Sequence, residues 1–186
     1  MRYIVSDIHG CYDQYRALLE KIHFSDGDEL YVLGDVVDHG PKPIKVLQDM
    51  MERPNVIFIL GNHDFVMYSL MKTLAVEITE ENYDKQLSAD IMRDFNLWLS
   101  DGGGVTAEQF RELEPLERAD YTKRYYPQRN IFLVTGHTPT VFINGWGKPE
   151  VYRKHGHIAL DCACVSGGKL AAFCVETEEV IYVDGL

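Results

Sequence analysis

The sequence predicts an α/β (α+β) fold in which two mixed β-sheets pack together and are flanked by helices. The first third of the chain alternates short hydrophobic strands with helical segments, and this β-α-β-α-β order favours parallel strands joined by crossover helices. The last third instead has short β-rich runs separated by tight turns, which predict a second, mostly antiparallel sheet. At 186 residues, the chain fits a single domain, residues 1–186.

The first third of the chain contains three predicted strands and two predicted helices. The strands are residues 3–6, 30–33 and 56–60, which are short and rich in β-branched or aromatic side chains. The helices are residues 12–22 and 41–51, where apolar side chains recur at helical spacing. A turn at residues 25–28 and a break at Pro54 separate these elements.

The middle of the chain is predicted to be helical and polar. One helix has an apolar face formed by Ile91, Phe95, Trp98 and Leu99. Three consecutive glycines at positions 102–104 end that helix, and Thr106 with Gln109 fits a capping box that opens another short helix. The remaining predicted strands are residues 131–135, a strand at Val151, and residues 157–160, 170–175 and 180–183.

Composition excludes several functional classes. The net charge of −11 leaves little Lys or Arg to build a groove for nucleic acid. No apolar run is long enough to cross a bilayer, and the first residues read as a buried strand, not as a signal peptide. We therefore expect a cytoplasmic protein with no nucleic-acid or membrane partner. The cysteines are predicted to be buried, reduced thiols: Cys11, Cys162, Cys164 and Cys174.

Four segments share one layout, a hydrophobic strand followed by a glycine-bearing loop with metal-type ligands. They are Asp7-Ile8-His9-Gly10, Gly34-Asp35-Val36-Val37-Asp38-His39-Gly40, Gly61-Asn62-His63-Asp64 and Gly136-His137-Thr138-Pro139. Sites in open α/β sheets form beyond the carboxyl ends of the strands. Three parallel strands would therefore deliver the first three motifs to one rim.

The spacing within these motifs suits divalent metal ions. Asp7 and His9 are two residues apart, so both side chains leave an extended segment on the same face. A carboxylate beside an imidazole makes half a site for a borderline divalent ion, and the two oxygens of Asp35 can bridge two ions. Each motif alone also fits an ordinary turn, and Asp35 and Asp38 also fit helix caps. That alternative has to explain four such loops, each at the end of a strand.

Other histidines lack this context. His23, His155 and His157 do not follow a strand and a glycine in the same way. Each is predicted to occupy a surface or strand position instead of binding a metal.

The four motifs, in this order, resemble those of the calcineurin-like metallophosphoesterases. The similarity is to the phosphoprotein-phosphatase branch, which includes small bacterial and phage Ser/Thr phosphatases and the diadenosine tetraphosphate hydrolases. It spans residues 7–139, and Ile158-Ala159-Leu160-Asp161 also fits the family where it closes the second sheet. The resemblance implies a four-layer α-β-β-α sandwich of two mixed sheets, with the site on a rim where loops from both sheets meet.

The resemblance also implies a role for each motif residue. Asp7 and His9 would hold one metal ion, Asp35 would bridge two, and Asn62 and His137 would hold the second. Two cations about 3.5–4 Å apart can clamp a phosphate and supply hydroxide near neutral pH. Manganese is the expected metal, with iron or zinc as alternatives.

The same resemblance assigns the residues that act on the substrate. His63 would be the general acid to the leaving oxygen, oriented by Asp38, because a histidine paired with a carboxylate suits proton delivery. Asn62 and His39 would contact the substrate phosphate. His39 stands where the family has an arginine, and a histidine donates at most one hydrogen bond toward a phosphate that arginine would bind bidentately. Phosphate binding is therefore expected to be weaker or pH-dependent.

A larger departure is a segment that the family carries and this chain lacks. The family has a further metal-ligand histidine between the third and last ligand motifs, but no histidine occurs here between His63 and His137. The missing segment falls within residues 113–121. Two explanations stay open: a true deletion, which leaves the second metal with Asp35, Asn62 and His137, or a gap in the determined sequence over which the numbering runs on. The distance between consecutive Cα atoms, about 3.8 Å in a continuous chain, distinguishes them.

Three functional hypotheses follow. The favoured one is a metal-dependent phosphomonoesterase of the Ser/Thr protein phosphatase type, which acts on a phosphorylated protein or a small phosphoester. The second is a dinucleoside polyphosphate or cyclic nucleotide hydrolase, which differs only in pocket shape. The third is a degenerate member that binds metal or phosphate without turnover, suggested by His39 and the absent histidine.

Overall fold

The computed structural model describes residues 1–74, 76, 78–113, 133–144, 148–154 and 157–186. Most of the window proposed for the absent segment, the start of the strand predicted at 131–135, and His155 lie outside these residues. The described helices are α1 (Tyr12–Lys21), α2 (Pro43–Glu52), α3 (Asn62–Leu74), α4 (Tyr83–Gln86), α5 (Ala89–Trp98) and α6 (Gly104–Glu112). Shorter helical pieces lie at Leu99–Gly103, Val141–Asn144 and Cys164–Ser166.

The described strands form two mixed sheets. Their bounds are β1 (Arg2–Val5), β2 (Glu29–Val32), β3 (Val56–Phe58), β4 (Leu133–Thr135), β5 (Tyr152–Lys154), β6 (His157–Ala159), β7 (Lys169–Cys174) and β8 (Val180–Asp184). The first sheet has the order β3-β2-β1-β7-β8, and the second has the order β4-β6-β5. Strands β1, β2 and β3 are parallel, as are β4 and β6. The predicted fold class is confirmed.

Side-chain alternation along the strands explains why the two sheets pack together. In β1, Tyr3 and Val5 are buried in the main core with Leu18 of α1 and Val46 of α2. Ile4 points to the opposite face, where it packs into a smaller cluster that includes Ile158 of β6 and Phe173 of β7. The first sheet is thus buried on both faces, by helices on one side and by the second sheet on the other.

The strand assignment of the last third needs a correction. The sequence predicted that its hairpin strands belong to the second sheet, but β7 and β8 join the first. Tyr3 of β1 pairs with Cys174 of β7 in an antiparallel register, and β8 continues from β7. The physical reason is that a hairpin with one buried face can pair with the edge of either sheet. Only long-range strand pairing determines which sheet it joins.

The predicted capping box at Thr106 is also wrong. Helix α6 begins at Gly104, and its N-cap residue, Gly103, makes no side-chain capping bond. Thr106 lies inside the helix and uses its hydroxyl elsewhere, in a hydrogen bond to Asp38. Gln109 donates to the Pro41 carbonyl at 2.7 Å. Both side chains therefore tie α6 to the loop after β2 instead of capping the helix.

Two further expectations concern the surface and the thiols. All four cysteines are buried and free, as the composition predicted. Within the ranges described above, no helix combines the length and apolar character needed to span a membrane.

Candidate metal centre

The first two ligand motifs are joined to each other through their backbones. The Asp7 N–H donates to the Gly34 carbonyl at 3.1 Å, the His9 N–H to the Asp35 carbonyl at 2.9 Å, and the Gly10 N–H to the Val36 carbonyl at 2.7 Å. These bonds continue the parallel pairing of β1 and β2 beyond the sheet. The loops therefore run side by side, as predicted from the carboxyl ends of parallel strands.

Asp7, His9 and Asp35 come together as one ligand cluster. One ligand atom of each lies within 4.8 Å of the others. Both carboxylates are buried, each with 3% of the residue exposed. In the described part of the chain, Asp7 Oδ2 and the adjacent Ser6 hydroxyl oxygen are both buried without a hydrogen-bond partner. A buried carboxylate oxygen left unpaired is costly unless a cation binds it, so these residues fit a divalent metal.

Electrostatics at Asp7 point to the same conclusion. Burial, together with the nearby Asp161 carboxylate, raises the pKa of Asp7 to about 8. Burial and Asp35 also raise the pKa of Asp161. Neighbouring carboxylates thus disfavour the ionised forms of Asp7 and Asp161. A bound cation removes this repulsion and allows the group to ionise.

His9 is oriented for metal binding. Its Nδ1 lies 2.8 Å from the Val37 carbonyl, and because a carbonyl only accepts, Nδ1 carries the hydrogen and Nε2 keeps the lone pair. This is the usual arrangement of a metal-ligating histidine. Burial lowers the pKa of His9, which also favours the neutral imidazole that a metal requires.

Asp35 lies beside the third and fourth motifs. Its Oδ1 accepts the His63 N–H at 3.0 Å, and its Oδ2 lies 3.7 Å from His137 Nδ1. A Cβ added to Gly61 would stand 2.2 Å from Asp35 Oδ1. Only glycine at position 61 lets the third loop approach this carboxylate so closely.

The remaining two predicted ligands, His137 and Asn62, have exposed side chains. His137 follows β4 of the second sheet, and its backbone N–H donates to Asp7 Oδ1 at 2.8 Å. Its side chain is 69% exposed, so the imidazole faces outward beside Asp35. Asn62 begins α3, between Gly61 and His63, and is exposed. The backbone on either side of Asn62 thus reaches Asp35, and its side chain stands at the rim.

His63 and Asp38 form the predicted pair. The His63 Nδ1–H donates to Asp38 Oδ2 at 2.9 Å, and this bond raises the pKa of His63. Asp38 is fully buried and also accepts from Trp98 Nε1 at 2.9 Å and from the Thr106 hydroxyl at 2.7 Å. Three donors hold the carboxylate, which in turn holds the imidazole.

Sequence reasoning missed four residues that build this site. Trp98 and Thr106 were assigned to a helix face and a helix cap, and nothing in their spacing connects them with Asp38. Asp64 stands in the third motif, where no role was given to it, although it accepts the backbone N–H groups of Asp35, Val36 and Gly61 at 2.6, 2.9 and 2.9 Å. Asp161 lies in the segment after β6 and is buried near Asp7.

The backbone of the site is strained. Left-handed φ angles occur at Asp7 (53°), His9 (43°), Asp35 (50°), Asp38 (68°) and His137 (71°). Such conformations are costly for residues with a side chain and concentrate where function requires a fixed geometry. Left-handed angles also occur outside the motifs, at His23, Ala163 and Glu178, so the strain is concentrated at the site but is not confined to it.

Comparisons with known proteins agree with this geometry. The family model described as calcineurin-like phosphoesterase matches residues 3–173. A symmetrical bis(5'-nucleosyl)-tetraphosphatase of Buchnera aphidicola subsp. Acyrthosiphon pisum (strain 5A) is 36% identical over 99 residues, which are 52% of this chain and 36% of the relative. The match thus spans about a third of that relative's length. The asymmetrical bis(5'-nucleosyl)-tetraphosphatase PrpE of Bacillus subtilis (strain 168) is 26% identical over 237 aligned positions, with 97% of this chain and 93% of the relative covered.

Solved structures share the fold. A crystal structure described as a candidate diadenosine tetraphosphatase superposes with a TM-score of 0.60 at 22% identity and covers 100% of this chain and 93% of that one. A metallophosphoesterase from Sphaerobacter thermophilus superposes with a TM-score of 0.52 at 13% identity and covers 100% of this chain and 87% of that one. With the family model matched over most of its length, the chain belongs to the calcineurin-like phosphoesterase family of hydrolases.

Proposed function

We propose that the chain is a metal-dependent hydrolase of dinucleoside polyphosphates, with a dinuclear metal centre. The observation that carries the proposal is the juxtaposition of the Asp7, His9 and Asp35 cluster with the His63–Asp38 pair. The relatives supply the substrate class, because both the symmetrical and the asymmetrical enzymes are bis(5'-nucleosyl)-tetraphosphatases. They give no support to the phosphoprotein substrate that the motifs first favoured.

The proposed chemistry divides between metal ions and side chains. Asp7 and His9 would hold one ion, Asn62 and His137 the other, and Asp35 would touch both. Bound cations would polarise the phosphate and activate water. Water would attack one phosphorus atom while the bond between that phosphorus and a bridging oxygen breaks. His63 would donate its proton to the departing oxygen. Asp38 keeps the His63 ring oriented through the 2.9 Å bond at Nδ1.

The polyphosphate chain of the substrate would meet Asn62 and His39 at the rim. Both side chains are exposed, so they are accessible to a substrate that approaches the metal centre. The substrate's polyphosphate chain is strongly anionic and the protein carries a net charge of −11. Metal cations would therefore be needed for binding as well as for reaction.

We infer that the second metal is held without the histidine that the family supplies from its central segment. The alignment with PrpE covers 237 positions, about 50 more than the chain has residues. This excess fits an absent family segment, and it is the same for a true deletion and for a gap in the determined sequence. The second ion would then depend on Asp35, Asn62 and His137 and on solvent ligands, and we expect it to bind more weakly than the first.

The asymmetrical reaction is the more specific form of the proposal. The alignment with PrpE covers nearly all of both chains, while the match to the symmetrical enzyme of Buchnera aphidicola is confined to 99 residues. The test incubates the purified chain with Mn²⁺ and diadenosine tetraphosphate and separates the nucleotides by anion exchange. We expect ATP and AMP in equal amounts, whereas ADP alone would indicate symmetrical cleavage.

A matched variant and two competing substrates complete this test. Asp35→Asn removes the charge shared by both ions and should abolish hydrolysis, while Asp26→Asn, at an exposed turn residue, should leave it unchanged. A phosphoserine peptide and an aryl phosphate are assayed in parallel. If either is hydrolysed with a higher kcat/KM than the dinucleotide, the substrate assignment is wrong. If metal binds but no phosphoester is hydrolysed, the chain is a non-catalytic member.

A further inference from the structure

The substitution at position 39 creates a cluster that the proposed reaction does not use. The imidazole rings of His9, His39 and His63 face one another edge to face. Their centroids are 4.9 Å apart for His9 and His39, 4.9 Å for His9 and His63, and 5.0 Å for His39 and His63. One ring nitrogen from each lies within 4.8 Å of the other two. An arginine at position 39 would not complete such a set.

Two of the three rings are already oriented as metal ligands. His9 donates through Nδ1 to the Val37 carbonyl at 2.8 Å, and His63 donates through Nδ1 to Asp38 at 2.9 Å. Each ring therefore has its Nε2 lone pair available on the side away from these acceptors. Zinc-binding histidines typically make this kind of bond to a carbonyl or a carboxylate.

The third ring is held in place by its backbone and by Gly102. His39 has a left-handed φ of 61°, and its N–H donates to the Gly102 carbonyl at 3.0 Å. A Cβ added to Gly102 would stand only 2.4 Å from His39 Nδ1, so the ring lies directly against the glycine backbone. Because His39 is exposed, an ion can reach the cluster from solvent.

We propose that His9, His39 and His63 form an alternative site for a zinc-class ion, distinct from the carboxylate-rich centre. Three imidazoles with an open fourth position suit Zn²⁺ or Co²⁺, whereas carboxylates favour Mn²⁺ and Mg²⁺. Ligand nitrogens about 2.0–2.1 Å from one ion stand roughly 3.3 Å apart. Ion binding would draw the three nitrogens, which lie within 4.8 Å of one another, to this spacing.

The two sites exclude each other because they share His9. Its Nε2 can bind one ion only, either the one with Asp7 and Asp35 or the one with His39 and His63. An ion at the three-histidine site would also withhold the His63 lone pair. Zinc at this site would therefore block the carboxylate-rich centre instead of completing it.

Direct metal binding tests the proposal without any substrate, so its outcome is independent of the proposed hydrolase function. Co²⁺ is titrated into the metal-free full chain while visible absorption is followed, and Zn²⁺ is then added to displace it. We expect an intense four-coordinate cobalt spectrum that Zn²⁺ abolishes. His39→Arg and His39→Asn should each weaken Zn²⁺ binding by at least about tenfold. Asparagine tolerates the left-handed backbone, so His39→Asn removes the ligand with little strain.

Two further variants separate the sites. Asp7→Asn should keep Zn²⁺ affinity within about threefold of the wild-type value while it loses Mn²⁺ binding. His23→Arg is the matched control, because His23 is an exposed histidine that also has a left-handed φ, of 51°. It should change neither affinity. Wild-type Zn²⁺ affinity in both His39 variants, or a loss in Asp7→Asn as large as theirs, would overturn the proposal.

Discussion

Asp7 keeps one carboxylate oxygen buried and, among the described residues, without a hydrogen bond. Burial and Asp161 raise its pKa from the ordinary value of 3.8 to about 8. The folded chain therefore binds a proton that the unfolded chain releases between these values. It follows that the free energy of unfolding of the metal-free protein falls as pH rises from about 4 to about 8. A metal ion would take the place of that proton.

Asp7→Asn should therefore stabilise the metal-free protein and abolish its metal-dependent activity. The neutral side chain removes the buried charge, so we expect the metal-free protein to gain about 1–3 kcal/mol near the upper end of this pH range. Mn²⁺ binding and hydrolysis should be lost. Urea denaturation in a chelator measures the first effect, and Asp26→Asn at an exposed turn is the control. A variant less stable than wild type there would contradict the assignment of Asp7 as a metal ligand whose buried Oδ2 lacks a partner.

The His63–Asp38 pair makes a separate prediction about pH. The hydrogen bond to Asp38 raises the pKa of His63, so the protonated, proton-donating form persists to higher pH. Activity should decline as pH rises through this pKa. Asp38→Asn removes the carboxylate, and we expect the decline to move to lower pH and kcat to fall by roughly 100-fold.

The pH profile of kcat at saturating Mn²⁺ measures this shift. Trp98→Phe is the matched variant, because it deletes one donor to Asp38, at 2.9 Å, but keeps the carboxylate and its bond to His63. The kcat of Trp98→Phe should decline at nearly the same alkaline pH as that of the wild type. If Asp38→Asn leaves the decline in place, His63 is not the proton donor.

At the scale of elements, the sequence was most informative where periodicity and turn residues act locally. Helices α1 and α2 and strands β1 to β3 were predicted close to their observed bounds, because each helix has one apolar face and each strand is a short apolar run. The convergence of Asp7, His9 and Asp35 followed from the parallel order of those strands. The roles of Asn62 and His137 as ligands stay predictions.

Long-range pairing explains what was not predictable. Strand β7 pairs with β1, more than 160 residues earlier in the chain, and no local pattern distinguishes this from pairing within the second sheet. Thr106 satisfies the local pattern of a cap, but its hydroxyl bonds Asp38 instead, 68 residues away. Trp98 likewise fits a helix face, but its indole N–H donates a hydrogen bond to Asp38. In each case tertiary contacts override the local preference.

The Asp64 carboxylate joins the loop after β2 to the loop after β3. Its carboxylate accepts the N–H groups of Asp35, Val36 and Gly61 at 2.6–2.9 Å and that of Val37 at 3.3 Å. It is 1% exposed. Asp64→Asn would turn an amide NH₂ toward these donors, so we expect a loss of roughly 2–4 kcal/mol in the free energy of unfolding.

Urea denaturation of the metal-free protein measures the loss at Asp64. Asp90→Asn is the control, because Asp90 is an exposed helical aspartate whose ion pair with Arg93 faces solvent. Its effect should be below about 1 kcal/mol. Equal effects of the two substitutions would show that Asp64 does not hold the loops together.

At the scale of the whole molecule, the site depends on both sheets. Strands β1 and β2 of the first sheet deliver Asp7, His9 and Asp35, and β4 of the second sheet delivers His137, whose N–H reaches Asp7 Oδ1 at 2.8 Å. The packing of Ile158 and Phe173 between the sheets holds these contributions together. A metal centre at this rim therefore joins elements far apart in the chain and depends on the complete fold.

The most direct test of the central claim is anomalous diffraction from crystals of the full chain soaked in Mn²⁺. We expect two anomalous peaks about 3.5–4 Å apart, with the Asp35 carboxylate between them. Asp7 and His9 should contact one peak, and Asn62 and His137 the other. A single peak that Asp35 does not contact, or no peak within reach of Asp7, would contradict a dinuclear centre built from these residues.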